Sequence, residues 1–252
     1  MIPERFRNFR DLGGLPCAGG SAIRQGMLFR APALCAVSAE ERAFLEALSL
    51  DTVIDFRCAE EIAERGDSPI PGSRYINAPM FDEKKYRYIV VSKKAKLRVV
   101  LLRGRRTALL KKNKLDSYLE MPFSPALNVL FDAMDRGERI VFHCTEGKDR
   151  TGVAAALIEY ALGRGEEEIR GQYLLSNRLR PGRDRSRLKY LGLPKRLIED
   201  IVFCEQTHGE LFDLAKTQIL LRYGTAEKYL ERCFGVTPER IERWKAFYLT
   251  SS

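Results

Sequence analysis

The sequence predicts an α/β fold in which a central, mostly parallel sheet is flanked by helices and followed by a helical C-terminal part. Three observations predict it. Short β-branched and apolar runs alternate with amphipathic helical patterns through the first 165 residues, as strands joined by helices do. One run, Arg139 to His143, passes through a polar loop straight into an apolar helix. From Glu166 onward only helical periodicity remains.

Ser38-Ala-Glu-Glu41 ahead of Phe44, Leu45 and Leu48 is a capping box that opens an amphipathic helix. Asp51 to Phe56 follows as a buried strand, because Thr52, Val53 and Ile54 are β-branched. The charged stretch from Arg57 to Glu64 reads as a second helix, and Arg74 to Pro79 as another short strand. Leu127 to Met134 has helical spacing and stops at Gly137. Arg139 to His143 is then a strand and Thr151 to Leu162 a helix ending at Gly163. Helices are predicted at 166–176, 195–204, 210–221, 225–233 and 238–247. With no repeat and no Gly/Ser/Pro-rich linker, the 252 residues are expected to form a single domain, with a basic helical insertion at about 84–120 and the helical part at about 166–252.

Composition excludes several classes. Hydrophobic residues at 45% and charged residues at 31% exclude a disordered or collagen-like chain. Charges scattered through the first ten residues leave no apolar run for a secretory signal peptide, so a cytoplasmic protein is expected. The six cysteines stand singly and are read as reduced thiols. With two histidines and no Cys-x-x-Cys pair, neither a metal nor any other cofactor is expected. Of the net charge of +9, thirteen Lys and Arg with no Asp or Glu fall between Lys84 and Lys114, so the rest of the chain is net negative. That segment is either a solvated face or a surface for peripheral contact with an anionic membrane. Its only aromatic residues, Tyr86 and Tyr88, argue against nucleic acid. A second basic cluster at 178–189 reads as an exposed connection, and the chain is expected to be a monomer.

The chemistry concentrates in His143-Cys144-Thr145-Glu146-Gly147-Lys148-Asp149-Arg150-Thr151-Gly152. A loop that turns from a buried strand into a helix N-terminus can point several N–H groups at one anion, helped by the helix dipole. The phosphate-binding set is therefore Thr145, Glu146, Gly147, Lys148, Asp149 and Arg150, with Arg150 forking two bonds to phosphate oxygens. The same positive field favours a thiolate at Cys144, which can attack phosphorus to give a cysteinyl-phosphate that water hydrolyses. Thr151 can donate its hydroxyl to the sulfur, and Asp149 is the nearest proton donor for the leaving oxygen.

These residues resemble the signature His-Cys-x5-Arg-Thr/Ser of the cysteine-dependent protein tyrosine phosphatase superfamily. The wider chain is similar to the bacterial tyrosine and lipid phosphatase family that includes secreted mycobacterial and listerial enzymes. The landmarks are Asn8-Phe-Arg-Asp-Leu-Gly-Gly14, Leu28-Phe-Arg30, Asp55-Phe-Arg57 with Glu60 and Glu61, Tyr173-Leu-Leu-Ser-Asn177 and Tyr223-Gly-Thr-Ala-Glu-Lys-Tyr-Leu230. The resemblance implies a protein tyrosine phosphatase-like fold without a metal, acting on phosphotyrosine or phosphoinositides. It implies a loop-supporting role for His143, and it adds export without a cleavable signal as an alternative location. The run Lys148-Asp149-Arg150-Thr151 is similar to loops of phosphoinositide phosphatases, whereas Glu146 stands where relatives often carry Ala and would repel polyanionic headgroups. No Trp-Pro-Asp sequence is present, and Asp82, roughly where a mobile acid loop would fall, is the alternative acid to Asp149.

Arg10 and Asp11 either brace the active-site loop or form an ordinary salt bridge. Gly13 and Gly14 are expected to serve a turn with positive φ, and Arg57 to pair with Glu60 or Glu61. The competing functions are a non-catalytic phosphate or phosphoinositide-binding module, a rhodanese-type or arsenate-reducing enzyme, and a cysteine protease. The intact set of Cys144, Asp149 and Arg150 stands against the first, and the wording of the loop against the second. A protease lacks a suitably placed histidine beyond His208.

Overall fold

The computed structural model describes residues 3, 6–81, 107–180 and 195–250. Asp82, most of the basic segment 84–114 and the basic cluster beyond Arg180 lie outside the described residues.

The described strands are β1 (Arg10–Asp11), β2 (Leu28–Ala31), β3 (Thr52–Asp55), β4 (Arg74–Asn77) and β5 (Ile140–His143). They lie in the order β1-β2-β5-β3-β4, with β1 antiparallel to β2 and the rest parallel. The strands expected at 51–56, 74–79 and 139–143 are present and slightly shorter. β1 and β2 escape the pattern because Arg10, Asp11 and Arg30 interrupt their apolar runs. Register sets Ala31, His143, Asp55 and Asn77 side by side at the carboxyl ends of the parallel strands, the edge where open α/β sheets bind ligands.

Pleating sends alternate residues of the central strands to opposite faces. Leu28, Ile54, Ile140 and Phe142 enter the larger core, while Phe29, Val53 and Val141 face a smaller one with Phe6, Phe9 and Leu45. The helices are α1 (Ala39–Ala47), α2 (Ala59–Glu64), α3 (Thr107–Glu120), α4 (Ala126–Asp135), α5 (Asp149–Ala161), α6 (Glu166–Leu179), α7 (Lys195–Glu205), α8 (Gly209–Tyr223), α9 (Ala226–Phe234) and α10 (Pro238–Tyr248). The capping box of α1 forms as expected, with Glu41 N–H donating to Ser38 Oγ at 3.1 Å and Ser38 N–H to Glu41 Oε2 at 2.7 Å.

Leu127, Phe131, Ala154 and Ile158 from α4 and α5 fill the larger core together with Leu211, Tyr229, Leu230 and Trp244 from the helical C-terminal part. That part therefore packs on the same face as α5, the helix that begins at the loop. The described end of the basic segment lies in α3, which packs against α7 and α8. Among the described residues no helix is long and apolar enough to cross a membrane.

Candidate active site

β5 ends at His143, and α5 begins at Asp149. Between them Cys144 is 2% exposed, and Arg150, in the first turn of α5, is 5% exposed. Gly147 makes the turn possible: its φ is +65°, and a Cβ there would lie 2.5 Å from the Ala31 carbonyl oxygen. Both the left-handed backbone and the close approach require glycine. Gly147→Ala is expected to lower the melting temperature by several degrees and to abolish anion binding, read by thermal unfolding with and without inorganic phosphate.

The carbonyls of the loop point outward to donors. Thr145 O accepts from Ala33 N–H at 3.3 Å, Glu146 O from Asn8 Nδ2 at 2.9 Å, and Gly147 O from Asn8 Nδ2 at 2.8 Å and Arg30 Nη2 at 2.9 Å. Lys148 O accepts from Gly152 N–H at 2.7 Å and Arg30 Nη2 at 3.4 Å. Because a trans peptide sets each carbonyl opposite the next N–H, the N–H groups of residues 146 to 149 face the other way, as an anion cradle needs. Arg10 holds Asn8 in turn, donating to its Oδ1 at 2.6 Å, and is itself anchored on Gln172 O at 2.9 Å and Ser176 Oγ at 3.2 Å. Arg10 thus braces the loop through Asn8. Asp11 does not: its carboxylate accepts from Gly13 N–H and Gly26 N–H, both at 2.7 Å, and closes the turn before β2. Of the two glycines in that turn only Gly14 has positive φ; Gly13 is needed because a Cβ would meet the Gln25 backbone at 2.3 Å.

Arg150 is clamped by Glu61. Its Nη1 and Nη2 donate to the two carboxylate oxygens at 2.7 and 2.8 Å, and Nη1 also reaches Phe56 O at 3.2 Å. The Thr145 hydroxyl donates to the same carboxylate. Burial would raise the Glu61 carboxyl, yet Arg150 and Thr145 outweigh it and bring it down to about 2. The expected pairing of Arg57 with Glu60 or Glu61 is thereby corrected: helical spacing gives way to Arg150, and Arg57 turns to Asp55 and Asp67 at 2.7 and 2.8 Å. The Thr151 hydroxyl is buried without a partner among the described residues, so the bond expected from it to the sulfur is not made here.

His143 stands behind the loop in a buried charge network. Its Nε2 lies 2.8 Å from Asp67 Oδ2, off the hydrogen-bonding direction, and its Nδ1 3.8 Å from Asp55 Oδ1. Burial would lower the imidazole, but Asp67 and Asp55 raise it above the ordinary value. His143, Asp55 and Asp67 bring ligating atoms within 4.8 Å of one another, yet Arg57 already bonds both carboxylates and fills the place of a cation. His143 Nδ1 also donates to the Cys144 carbonyl at 3.4 Å, so His143 supports the loop by a direct hydrogen bond as well as through charge.

Asp149 turns toward α3. Its Oδ1 accepts from Lys114 Nζ at 2.6 Å and from the Tyr118 hydroxyl, which receives a bond from Tyr173 at 2.6 Å. Burial would raise the Asp149 carboxyl, but Lys114 and Tyr118 hold it below the usual range. The side chain keeps 32% exposure. Lys148 reaches Glu205 O at the end of α7, 3.1 Å away, and burial lowers its ammonium. Glu146 is not a free rim carboxylate, because Arg180 pairs with it.

In the sequence Asn8, Arg30, Tyr173 and Ser176 stand only as landmarks, and Glu61 as a landmark and a partner for Arg57. A buried loop with outward carbonyls demands donors, and Asn and Arg next to short strands were the available signal. For Lys114, Tyr118 and Arg180 no local signal exists, since their partners lie 31 to 35 residues away.

A model of the "Tyrosine phosphatase family" matches residues 3–250. A Cupriavidus necator protein with a provisional tyrosine-protein phosphatase name is 30% identical over 90% of this chain and 81% of its own length. The "Triple specificity protein phosphatase PtpB" of Mycobacterium tuberculosis is 26% identical over 68% of this chain and 66% of its own. The crystal structure of Pseudomonas aeruginosa TpbA aligns with a TM-score of 0.33 at 14% identity, covering 79% of this chain and 89% of that one. From the match over nearly its full length, this chain belongs to the tyrosine phosphatase family.

Proposed function

We propose that this phosphatase works through a cysteinyl-phosphate and takes phosphotyrosine as its leading substrate, with phosphoinositides as a second class. The observation that carries the reading is the run of carbonyls from 145 to 148 bonded outward around Cys144, with Arg150 clamped beside it. Phosphate oxygens would take the N–H groups opposite those carbonyls and the guanidinium of Arg150. Cys144 attacks phosphorus as its thiolate, forming the S–P bond as the P–O bond to the leaving group breaks. Asp149 protonates the departing oxygen. Its carboxylate then takes a proton from the water that attacks phosphorus, and the thiolate leaves with inorganic phosphate as product. Lys148 supports the second substrate class by adding charge beside the cradle.

Free-phosphate release from phosphotyrosine, phosphoserine and phosphothreonine peptides and short-chain phosphoinositides tests this, with Cys144→Ser as the blank. Release that vanishes in the variant is expected. Tight binding of these ligands without release would make the chain a phosphate-binding module.

Lys114 gives a test of the acid. Removing its cation in Lys114→Met lets burial prevail over the Asp149 carboxyl, whose pKa then rises. The limb of the kcat/KM profile that falls as Asp149 loses its proton is expected to move to higher pH by about one unit, while Lys114→Arg keeps it in place. An unmoved limb in pH–rate profiles of both variants would exclude Asp149.

A further inference from the structure

The loop rim carries a charge arrangement that this chemistry does not use. Asn8 Nδ2 fixes the Glu146 carbonyl at 2.9 Å, and the Glu146 carboxylate is paired with Arg180 Nε. Arg180 is itself placed, because its N–H donates to Ser176 O at 3.1 Å and closes α6. The two side chains are 31% and 27% exposed, within reach of a substrate arriving from solvent. Lys148 sits among them, attracted by Asp149 and Glu146 and repelled by Arg180 and Lys114. Behind the rim the buried Lys114 is taken by Asp149, and at the rim Arg180 is taken by Glu146.

We propose that Glu146 and Arg180 form a specificity pair that selects substrates carrying a single phosphomonoester. With one phosphate in the cradle, a second phosphate on a neighbouring atom of the substrate would fall at the rim. Arg180 is the guanidinium suited to receive it, and the Glu146 carboxylate occupies that guanidinium. A vicinal bisphosphate must both displace Glu146 and lie beside its charge, whereas a monophosphate such as phosphotyrosine meets neither cost. A half-exposed ion pair contributes little to folding, so the effect falls on selectivity. The inference rests on the phosphatase reading above and deepens it.

The test compares kcat/KM for short-chain inositol lipids bearing two vicinal ring phosphates with kcat/KM for those bearing one, within each enzyme. Any general loss of activity then cancels. In Glu146→Gln the ratio of bisphosphate to monophosphate is expected to rise about tenfold, because Arg180 is released to a doubly charged ligand. In the double variant Glu146→Gln/Arg180→Met the ratio is expected to return toward that of the wild type. A ratio unchanged in Glu146→Gln, or a rise that persists without Arg180, overturns the proposal. The same ratio read by calorimetric binding of the two headgroups in a Cys144→Ser background needs no turnover and must shift in the same way. Failure of the wild type to release phosphate from any substrate would count against the phosphatase reading, while the binding ratio would still decide the role of the pair.

Discussion

Glu61→Ala is expected to reduce kcat/KM for an aryl phosphate by about 10²- to 10³-fold and to destabilise the protein by roughly 3 to 5 kcal/mol. Both losses have one origin. The carboxylate holds both terminal nitrogens of Arg150 at 2.7 and 2.8 Å and accepts from Thr145 in the loop, so its removal leaves a buried guanidinium unpaired and free to swing. Stability linkage gives a second route to the same magnitude. The Glu61 carboxyl lies at about 2 in the folded protein, against roughly 4.3 in an unfolded chain. A depressed carboxyl contributes stability that is fully present above the unfolded value and is lost as pH falls through the folded one, here about 3 kcal/mol between pH 4.5 and pH 2. Urea unfolding at pH 7 and pH 3 should therefore show a wild type that has lost somewhat more than half of this contribution at the lower pH and a variant with nothing there to lose. Inorganic phosphate should stabilise the variant more than the wild type, because it supplies Arg150 with an anion. Equal stability of the two proteins at pH 7 would show that the pair is not the clamp.

The division between what the sequence revealed and what it concealed follows from distance along the chain. Strands β3, β4 and β5 and the described helices that follow α3 were legible because periodicity and caps act within a few residues. Cys144 and Arg150 were legible because strand, loop and helix occur in succession. The supports of the loop were not, because each reaches it from far away: Asn8 from 138 residues, Glu61 from 89 and Arg30 from 117. Glu61 shows how a local rule misleads. Its spacing from Arg57 suits a helical pair, but it lies at the start of α2, where its side chain can turn back to Cys58 N–H at 3.1 Å and across to Arg150. Asp149 shows the converse. Its place at a helix N-terminus was evident, while Lys114, which holds its charge, belongs to a basic run that composition alone reads as surface.

Arg30→Met is the other substitution expected to have a large effect, and it acts without removing any group that meets the substrate. Arg30 is 1% exposed, and its Nη2 serves Gly147 O at 2.9 Å, Lys148 O at 3.4 Å and Ser176 Oγ at 3.5 Å. Methionine fills much of the volume and donates nothing, so Gly147 O keeps only Asn8 and Lys148 O only Gly152 N–H. At about 1 to 3 kcal/mol for each weakened buried acceptor, a loss near 3 kcal/mol and a fall in melting temperature of roughly 6 to 12 °C are expected. The loop can then rotate its peptide planes, and kcat/KM should drop by about 10²-fold through misdirected N–H groups. Arg30→Lys should recover only part of this, since a flexible, strongly hydrated ammonium on a shorter side chain replaces the rigidly held Nη2 that serves all three acceptors. Glu159 supplies a signature that lost packing alone would not give. Burial pushes its carboxyl up to about 6, against the pull of Arg164, Arg30 and Arg10. A raised carboxyl costs stability as pH rises from the unfolded value through the folded one, so the wild type should lose about 2 kcal/mol between roughly pH 4 and pH 6. Without Arg30 the carboxylate has one fewer cation to offset its burial, its folded value climbs further, and the decline should extend toward pH 7. Unfolding measured at intervals from pH 5 to pH 8 reads this directly. Parallel curves for wild type and variant would mean that Arg30 holds the loop by shape and not by charge.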